Sequence, residues 1–240
     1  MDSQSDDFPL VEADRTIGTK TTTTKRKCEG RKTSITIVVF FSLLIVLITT
    51  GAYWICKLQN TKYNNNKPSF NPPPRADLAK TARYIAHYMD WCVMSTISIQ
   101  YHGIPFGVPI SISDGPVNNS TGVPYIYIAP AAPSASDLKK NGSSSFTFSE
   151  AMSDYCSRNS YDPEDPRCAR LVLLGKVVKL TADEIPFAKE ALFSRHPVMK
   201  YWPPSHKFFF AKLVISNIHV LDTFGPAHEV SLKDYFGAKI

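Results

Sequence analysis

Two histidines and a tyrosine lying close together are the side chains most able to do chemistry. Residues 194–213 read SRHPVMKYWPPSHKFFFAKL and include His196, Tyr201 and His206. The imidazoles could act as acid and base, or as ligands of haem or a metal ion, with the phenol assisting. The neighbouring sequence offers no nucleophile with a positioned base, no carboxylate pair and no third ligand. We therefore favour a structural joint over a catalytic or metal site.

The elements on either side of this stretch explain such a joint. Thr181 and Glu184 form a capping-box pattern at the start of a helix running toward Arg195. His196 precedes a proline, which favours extended backbone, so the helix is predicted to end there. Arg195 then suits the helix carboxyl terminus, where a cation meets the helix dipole. Trp202 and two prolines make a rigid corner before the next strand.

The rest of the chain alternates in ways that predict a β-rich barrel with attached helices, an α+β fold. Strand patterns occupy residues 91–99, 106–113, 123–129, 144–151, 170–180 and 208–224, the last read as a strand pair or one long bent strand, and Gly175 is a predicted bulge. An amphipathic helix begins near residue 78, with Lys80, Arg83 and His87 on its polar side. A second helix, capped by Ser134 or Ser136, is predicted over residues 134–141.

An uncharged run of 22 residues, 35–56, dominates the first quarter of the chain. As a helix it would span about 33 Å, the thickness of a bilayer core. Basic residues are more numerous before it than after it, which predicts a cytoplasmic amino terminus. We expect a disordered cytoplasmic tail (1–34), a transmembrane signal-anchor (35–56), a stalk (57–75) and a lumenal domain (76–240). Cleavage of the run as a signal peptide, giving a secreted protein, is the alternative.

Two local patterns fit a lumenal domain. Asn118, Asn119 and Asn141 each begin a glycosylation triplet among Gly, Ser and Pro residues. Cys156 and Cys168 enclose a polar loop without aliphatic residues, and a disulfide there would stabilise the fold by about 3 kcal/mol in the loop-closure model. We predict this bridge, and a structural zinc site is less favoured because no second Cys or His pair has ligand spacing.

The charge distribution excludes nucleic acid as a partner. The chain carries a formal charge of +6, but residues 76–240 hold sixteen Lys and Arg against fifteen Asp and Glu. The excess therefore lies in the tail and stalk. A nearly neutral domain gives no support for binding phosphate backbones.

Four motifs together resemble the CREG family of secreted and lysosomal glycoproteins over about residues 73–235: ARYIAHYMDWCVMSTIS, SDGPVNNSTGVPYIYIAP, CSRNSYDPEDPRC and LFSRHPVMKYWPPSHKFFFAKLVISNIHVLDTFG. The resemblance implies a split β-barrel like those of flavin mononucleotide (FMN)-binding oxidases, assembled as a homodimer. It also implies a role in growth, differentiation or endolysosomal function, with the mannose 6-phosphate/insulin-like growth factor II receptor as a partner.

The same resemblance bears on cofactors. Flavin-binding relatives hold the phosphate with basic residues on the strand after the first hairpin turn, and this strand reads FGVPISIS here. We therefore expect a non-enzymatic glycoprotein with no catalytic residue, cofactor or metal. A flavin- or haem-dependent oxidoreductase is the alternative. Cys92 is interpreted as a buried thiol without chemistry of its own.

Overall fold

The structure, a computed structural model, describes residues 41, 43–55, 57 and 71–240. Residues 41, 43–55 and 57 are helical and exposed. Among the described residues, no helix has both the length and the hydropathy needed to cross a bilayer. The predicted tail, the stalk from 58 to 70, and residues 35–40, 42 and 56 of the predicted anchor lie outside the described residues.

Residues 71–240 belong to a compact unit built around an antiparallel barrel. The strand order is β3-β2-β1-β4-β5-β6-β7, and a further pairing of β3 with β6 closes the first six strands into the barrel. The strands of residues 71–240 are β1 (Trp91–Ile97), β2 (Pro105–Ser113), β3 (Tyr125–Ile128), β4 (Ser143–Ser149), β5 (Arg170–Lys179), β6 (Phe209–Leu221) and β7 (His228–Glu229). The predicted β-rich barrel is confirmed, and β6 is one long strand.

Successive side chains of a strand point to opposite faces of the sheet, so every second side chain fills the barrel interior. On β1 the buried residues are Cys92, Met94 and Thr96, and on β4 they include Phe146 and Phe148. Cys92 is a free thiol inside this core, and burial raises its pKa well above the usual value. It therefore packs as a small apolar side chain, as predicted.

Gly175 marks the irregularity predicted in the longest strand pair. The β5–β6 register shifts between Leu174 and Gly175, which is the signature of a bulge. A Cβ atom at Gly175 would lie 2.1 Å from the backbone oxygen of Val214. Glycine is needed here because the two backbones approach too closely for any side chain.

Five helices of residues 71–240 cover the barrel: α1 (Leu78–Tyr88), α2 (Pro133–Lys140), α3 (Tyr155–Arg158), α4 (Ile185–Arg195) and α5 (Leu232–Gly237). One detail of the sequence prediction was wrong for each of α1 and α2. Arg83 and His87 of α1 are buried, because other segments cover the polar side of the helix. The cap of α2 is Ala132, without a side-chain hydrogen bond, so neither predicted serine caps it.

Candidate functional site

Arg195, the last residue of helix α4, connects this helix to helix α1 through hydrogen bonds. The N-cap of helix α4 is Glu184 and makes no side-chain cap hydrogen bond, so the predicted capping box does not form. The Glu184 carboxylate accepts hydrogen bonds from the Thr181 backbone and hydroxyl in the preceding turn, and the helix ends at Arg195. The Arg195 guanidinium donates to the backbone oxygens of His87 at 2.8 Å and Tyr88 at 3.4 Å. These are carbonyls of the last turn of α1, so Arg195 satisfies groups that the helix end leaves unpaired.

His196 makes a similar backbone contact. Its Nε2 atom lies 2.9 Å from the backbone oxygen of Ile112 on β2. Because a carbonyl only accepts, Nε2 carries the proton and donates it. Burial also lowers the pKa of His196 from its usual value, which favours the neutral ring. His196 thus fastens the end of α4 to the barrel.

The other residues of the stretch do not join His196 in a site. Tyr201 is 85% exposed, and His206 is exposed with its ring 5.8 Å from that of Phe208. The Trp202 ring stacks on Tyr127 of β3, with the centroids 6.0 Å apart. Within residues 71–240 no contact links the two histidines, and the described residues contain no group of three or more metal-ligating His, Cys, Asp or Glu side chains.

A buried pair that the sequence did not predict lies beside this joint. The His87 Nδ1 atom is 2.6 Å from Asp114 Oδ1, and its Nε2 atom is 2.9 Å from the backbone oxygen of Val117. Both side chains are almost fully buried, at 1% and 0% exposure. Both ring nitrogens thus lie within hydrogen-bond distance of oxygen atoms, one of the Asp114 carboxylate and one of the backbone.

Asp114 also organises the loop that carries two glycosylation triplets. Its Oδ2 atom accepts from the Ser120 hydroxyl at 2.5 Å and from the Gly122 backbone N–H at 2.9 Å. The Thr121 hydroxyl donates to the Asp114 backbone oxygen. These bonds hold the two ends of the loop while the side chains of Asn118 and Asn119 remain exposed.

Arg83 and Tyr235 connect the same loop to the carboxyl-terminal segment. Arg83 Nη2 donates to the backbone oxygen and hydroxyl of Ser120, and Nη1 donates to the backbone oxygens of Tyr235 and Ala238. The Tyr235 hydroxyl donates to the Gly122 oxygen at 2.8 Å. We call His87, Asp114, Arg83, Ser120 and Tyr235 the buried polar network. It joins α1, the loop and α5.

The network contains an aspartate and a histidine, as an acid–base triad does, but the two are not arranged as in a triad. A histidine held by aspartate becomes a general base when its second nitrogen faces a nucleophile or substrate. Here the second nitrogen of His87 faces the Val117 carbonyl, and the Ser120 hydroxyl binds Asp114 instead. The arrangement therefore fixes the loop and leaves no position for a reacting atom.

The predicted disulfide is present. Cys156 and Cys168 are bonded and buried at the ends of the polar loop. Beside them, buried Glu150 accepts from Arg75 Nη2 at 2.7 Å and from the Ala169 backbone N–H at 2.9 Å. The bridge and this ion pair fasten the loop and the start of the domain to the barrel. The third predicted glycosylation residue, Asn141, is exposed after α2.

The residues on β2 do not fit a flavin phosphate. Strand Pro105–Ser113 has neither Lys nor Arg among its nine residues. The basic residues beside the joint, Arg195 and His196, bind backbone oxygens. A phosphate monoester dianion is normally held by several charged or backbone donors, and β2 supplies no cationic side chain for it.

Solved structures of other proteins share the fold of this barrel. The fold is similar to that of a heme binding protein from Mycobacterium smegmatis, with TM-score 0.53 and 15% identity over 71% of this chain and 63% of the other. It is also similar to a protein of unknown function from Agrobacterium tumefaciens, with TM-score 0.52 and 19% identity over 70% and 64% of the two chains. At these identities the similarity shows the fold alone, which is that of a split-barrel protein.

The chain belongs to the CREG family. The family model described as CREG, beta-barrel matches residues 73–237. Protein CREG1 of Mus musculus is 43% identical over 170 residues, which cover 70% of this chain and 77% of the relative. Protein CREG2 of Mus musculus is 42% identical over 170 residues, covering 70% and 59%. The resemblance drawn from the four motifs is therefore confirmed.

Proposed function

We propose that this protein is a non-enzymatic glycoprotein of the secretory and endolysosomal pathway. It acts in growth or differentiation control, or in lysosomal function, by binding a receptor or another protein. One observation carries the proposal: His87, Asp114, Arg195 and His196 all bind each other or backbone groups. Side chains that satisfy one another in this way stabilise a fold and display its loops, which is what a binding protein requires.

Glycans and a membrane anchor complete the proposal. Asn118, Asn119 and Asn141 are the proposed acceptors, and their exposure supports this assignment. The uncharged run 35–56, with its basic upstream flank, supports a single-pass type II anchor. A glycan that carries mannose 6-phosphate would make the mannose 6-phosphate/insulin-like growth factor II receptor a partner.

Cell fractionation tests the location and the glycans together. The full chain expressed in animal cells is expected to stay with membranes after a carbonate wash and to lose mass on treatment with an N-glycosidase. An Asn118→Gln/Asn119→Gln/Asn141→Gln variant is expected to have the lower mass already and to be insensitive to the enzyme. A soluble product that begins near Tyr53 would instead show signal cleavage and a secreted protein. Membrane-bound chain without any glycosidase shift would contradict the proposed lumenal domain.

Flavin binding separates the proposal from the oxidoreductase alternative. The full chain is expected to leave the fluorescence of FMN unchanged at micromolar concentrations, because β2 lacks a cation for the phosphate. Arg195→Ala is expected only to lower the free energy of unfolding by about 2 kcal/mol, through loss of two charge-assisted bonds. A stoichiometric yellow complex that Arg195→Ala or His196→Ala abolishes would establish the alternative instead.

We also propose a homodimer, and the outer face of the sheet supports it. Two rows of cross-strand partners on this face contain no Lys, Arg, Asp or Glu. In the strand order β2, β1, β4, β5, β6, the first row is Pro109, Val93, Thr147, Val172 and His219, and the second row is Gly107, Ser95, Ser145, Leu174 and Asn217. The strand residues that alternate with them fill the core, so these rows face outward. The centre of a protein–protein interface is typically depleted of charged residues.

A charge placed on this face tests the dimer. Ser145→Arg is expected to weaken self-association by roughly 100-fold or more, because an unpaired charge would be buried between the two copies. Sedimentation velocity of the full chain would measure the change. Ser157→Arg, at an exposed position in α3, is the control and should leave the dimer intact. If wild type and Ser145→Arg sediment as dimers of equal mass, this face is not the interface.

A further inference from the structure

An apolar crevice opens at one end of the barrel, between helix α2 and the strands β5 and β6. Its volume is about 550 Å³, within the usual range for small-molecule sites. Apolar side chains form its walls: Ala135, Leu138, Val177, Phe209 and Ala211. All five belong to the main hydrophobic cluster or pack against it, so the crevice leads from the surface to the core.

Two lysines also line this crevice, together with Pro130 and Ser136. Lys139 lies in the last turn of α2, and Lys179 is the last residue of β5. The Lys179 ammonium lies 5.8 Å from the centre of the Phe209 ring, which is itself a wall residue. This contact holds one positive charge at the apolar surface instead of letting it extend into water.

The positive charge of the crevice is not neutralised locally. Within residues 71–240, neither Lys139 nor Lys179 forms an ion pair with a carboxylate, whereas Lys212 on β6 pairs with Glu184. No acidic residue lines the crevice. Asp137, on the same helix, is buried elsewhere, and its carboxylate binds Thr96. A ligand with a negative charge would therefore meet two ammonium groups and no carboxylate.

We propose that the crevice binds a small amphipathic anion, with one carboxylate at the two lysines and an aliphatic or aromatic tail against the apolar walls. Each methylene of the tail that is removed from water strengthens binding about fourfold, and the charge fixes the orientation of the ligand. An uncharged ligand of equal size would bind more weakly, because it lacks the attraction to the two lysine ammonium groups. This inference is independent of the proposed receptor-binding role, since the crevice shares no residue with the buried polar network.

Equilibrium dialysis of the full chain in lipid nanodiscs, with empty nanodiscs as the blank, tests the site. Octanoate and 2-naphthoate are the probes, and 1-octanol and 2-naphthol are their uncharged counterparts. We expect at least one of the two anions to bind once per chain and more tightly than its neutral counterpart. Where octanoate binds, decanoate should bind about tenfold more tightly because of its two extra methylenes. Preference between octanoate and 2-naphthoate identifies the tail as aliphatic or aromatic.

Charge reversal assigns the binding to these lysines. Lys139→Glu and Lys179→Glu are each expected to weaken binding of the anion by about tenfold. Lys140→Glu on the same helix and Lys176→Glu on the same strand do not line the crevice and are the matched controls. Both crevice lysines are exposed, so the variants should keep the wild-type melting temperature. If a charge reversal lowers the melting temperature, the neutral variant of the same lysine, Lys139→Gln or Lys179→Gln, is measured instead. It is expected to weaken binding of the anion by less than about tenfold.

Three results would overturn the proposal. The first is no saturable binding of either anion, and the second is equal affinity for each anion and its neutral counterpart. The third is equal weakening by the crevice and control reversals, which would indicate attraction to the overall charge of the surface. Protection of Lys139 and Lys179 from acetylation by the bound anion, read by peptide mass spectrometry, is the expected supporting result.

Discussion

Asp114→Ala is expected to lower the free energy of unfolding by about 3–5 kcal/mol. The carboxylate is fully buried and faces the His87 ring at 2.6 Å, so its removal leaves a buried imidazole without its acceptor. It also frees the Ser120 hydroxyl and the Gly122 N–H from their common acceptor. Urea unfolding of the full chain, followed by tryptophan fluorescence, would measure the loss.

A double-mutant cycle assigns this effect to the pair. His87→Leu should be destabilising by itself, and the double variant should lose less than the sum of the two, because each single change leaves a buried partner unpaired. Asp154→Ala, which removes an exposed ion pair with Arg158, is the control and should change stability little. A loss below about 1 kcal/mol for Asp114→Ala would show that the network does not hold the loop.

Gly175→Ala is expected to destabilise the barrel by about 3 kcal/mol, the upper part of the range for overpacked positions. The new methyl group would lie 2.1 Å from the Val214 oxygen and 2.9 Å from its carbonyl carbon, both atoms of the backbone. The clash cannot be relieved by turning a side chain, so β5 and β6 must separate. The same urea titration would report the change as a lower midpoint with an unchanged slope.

Gly237→Ala is the matched control for this substitution. A Cβ atom at Gly237 meets nothing within 4 Å, and the residue ends helix α5. Alanine there should leave stability nearly unchanged. If Gly175→Ala and Gly237→Ala have equal effects, the close approach of the two strands is not the reason for glycine at the bulge.

Local patterns in the sequence predicted much of the fold. Alternation located the strands, the Pro after His196 marked the end of α4, and a glycine inside a long strand marked the bulge at Gly175. Cys156 and Cys168 are only 12 residues apart, so the loop between them could be judged by its composition. Each of these signals depends on neighbours in the chain, where propensity and turn chemistry act.

The buried polar network could not be predicted in this way. His87 and Asp114 are separated by 27 residues, and Tyr235 reaches Gly122 across 113. On α1, the spacing of apolar residues correctly indicated a helix but placed His87 and Arg83 on its polar side. Burial of that side depends on which distant segments cover it, and periodicity within one helix contains no such information.

The bond between Tyr235 and Gly122 has a consequence for the timing of biosynthesis. At usual translation rates of about 5–20 residues per second, the 113 residues that separate them take about 6 to 23 seconds to synthesise. During the later part of that interval the Asn118–Asn119 segment is outside the ribosome, but the tyrosine that ties the loop to helix α5 does not yet exist. In the proposed lumenal topology, the growing chain would therefore present both proposed acceptors to a co-translational transferase before the bond from Tyr235 can form.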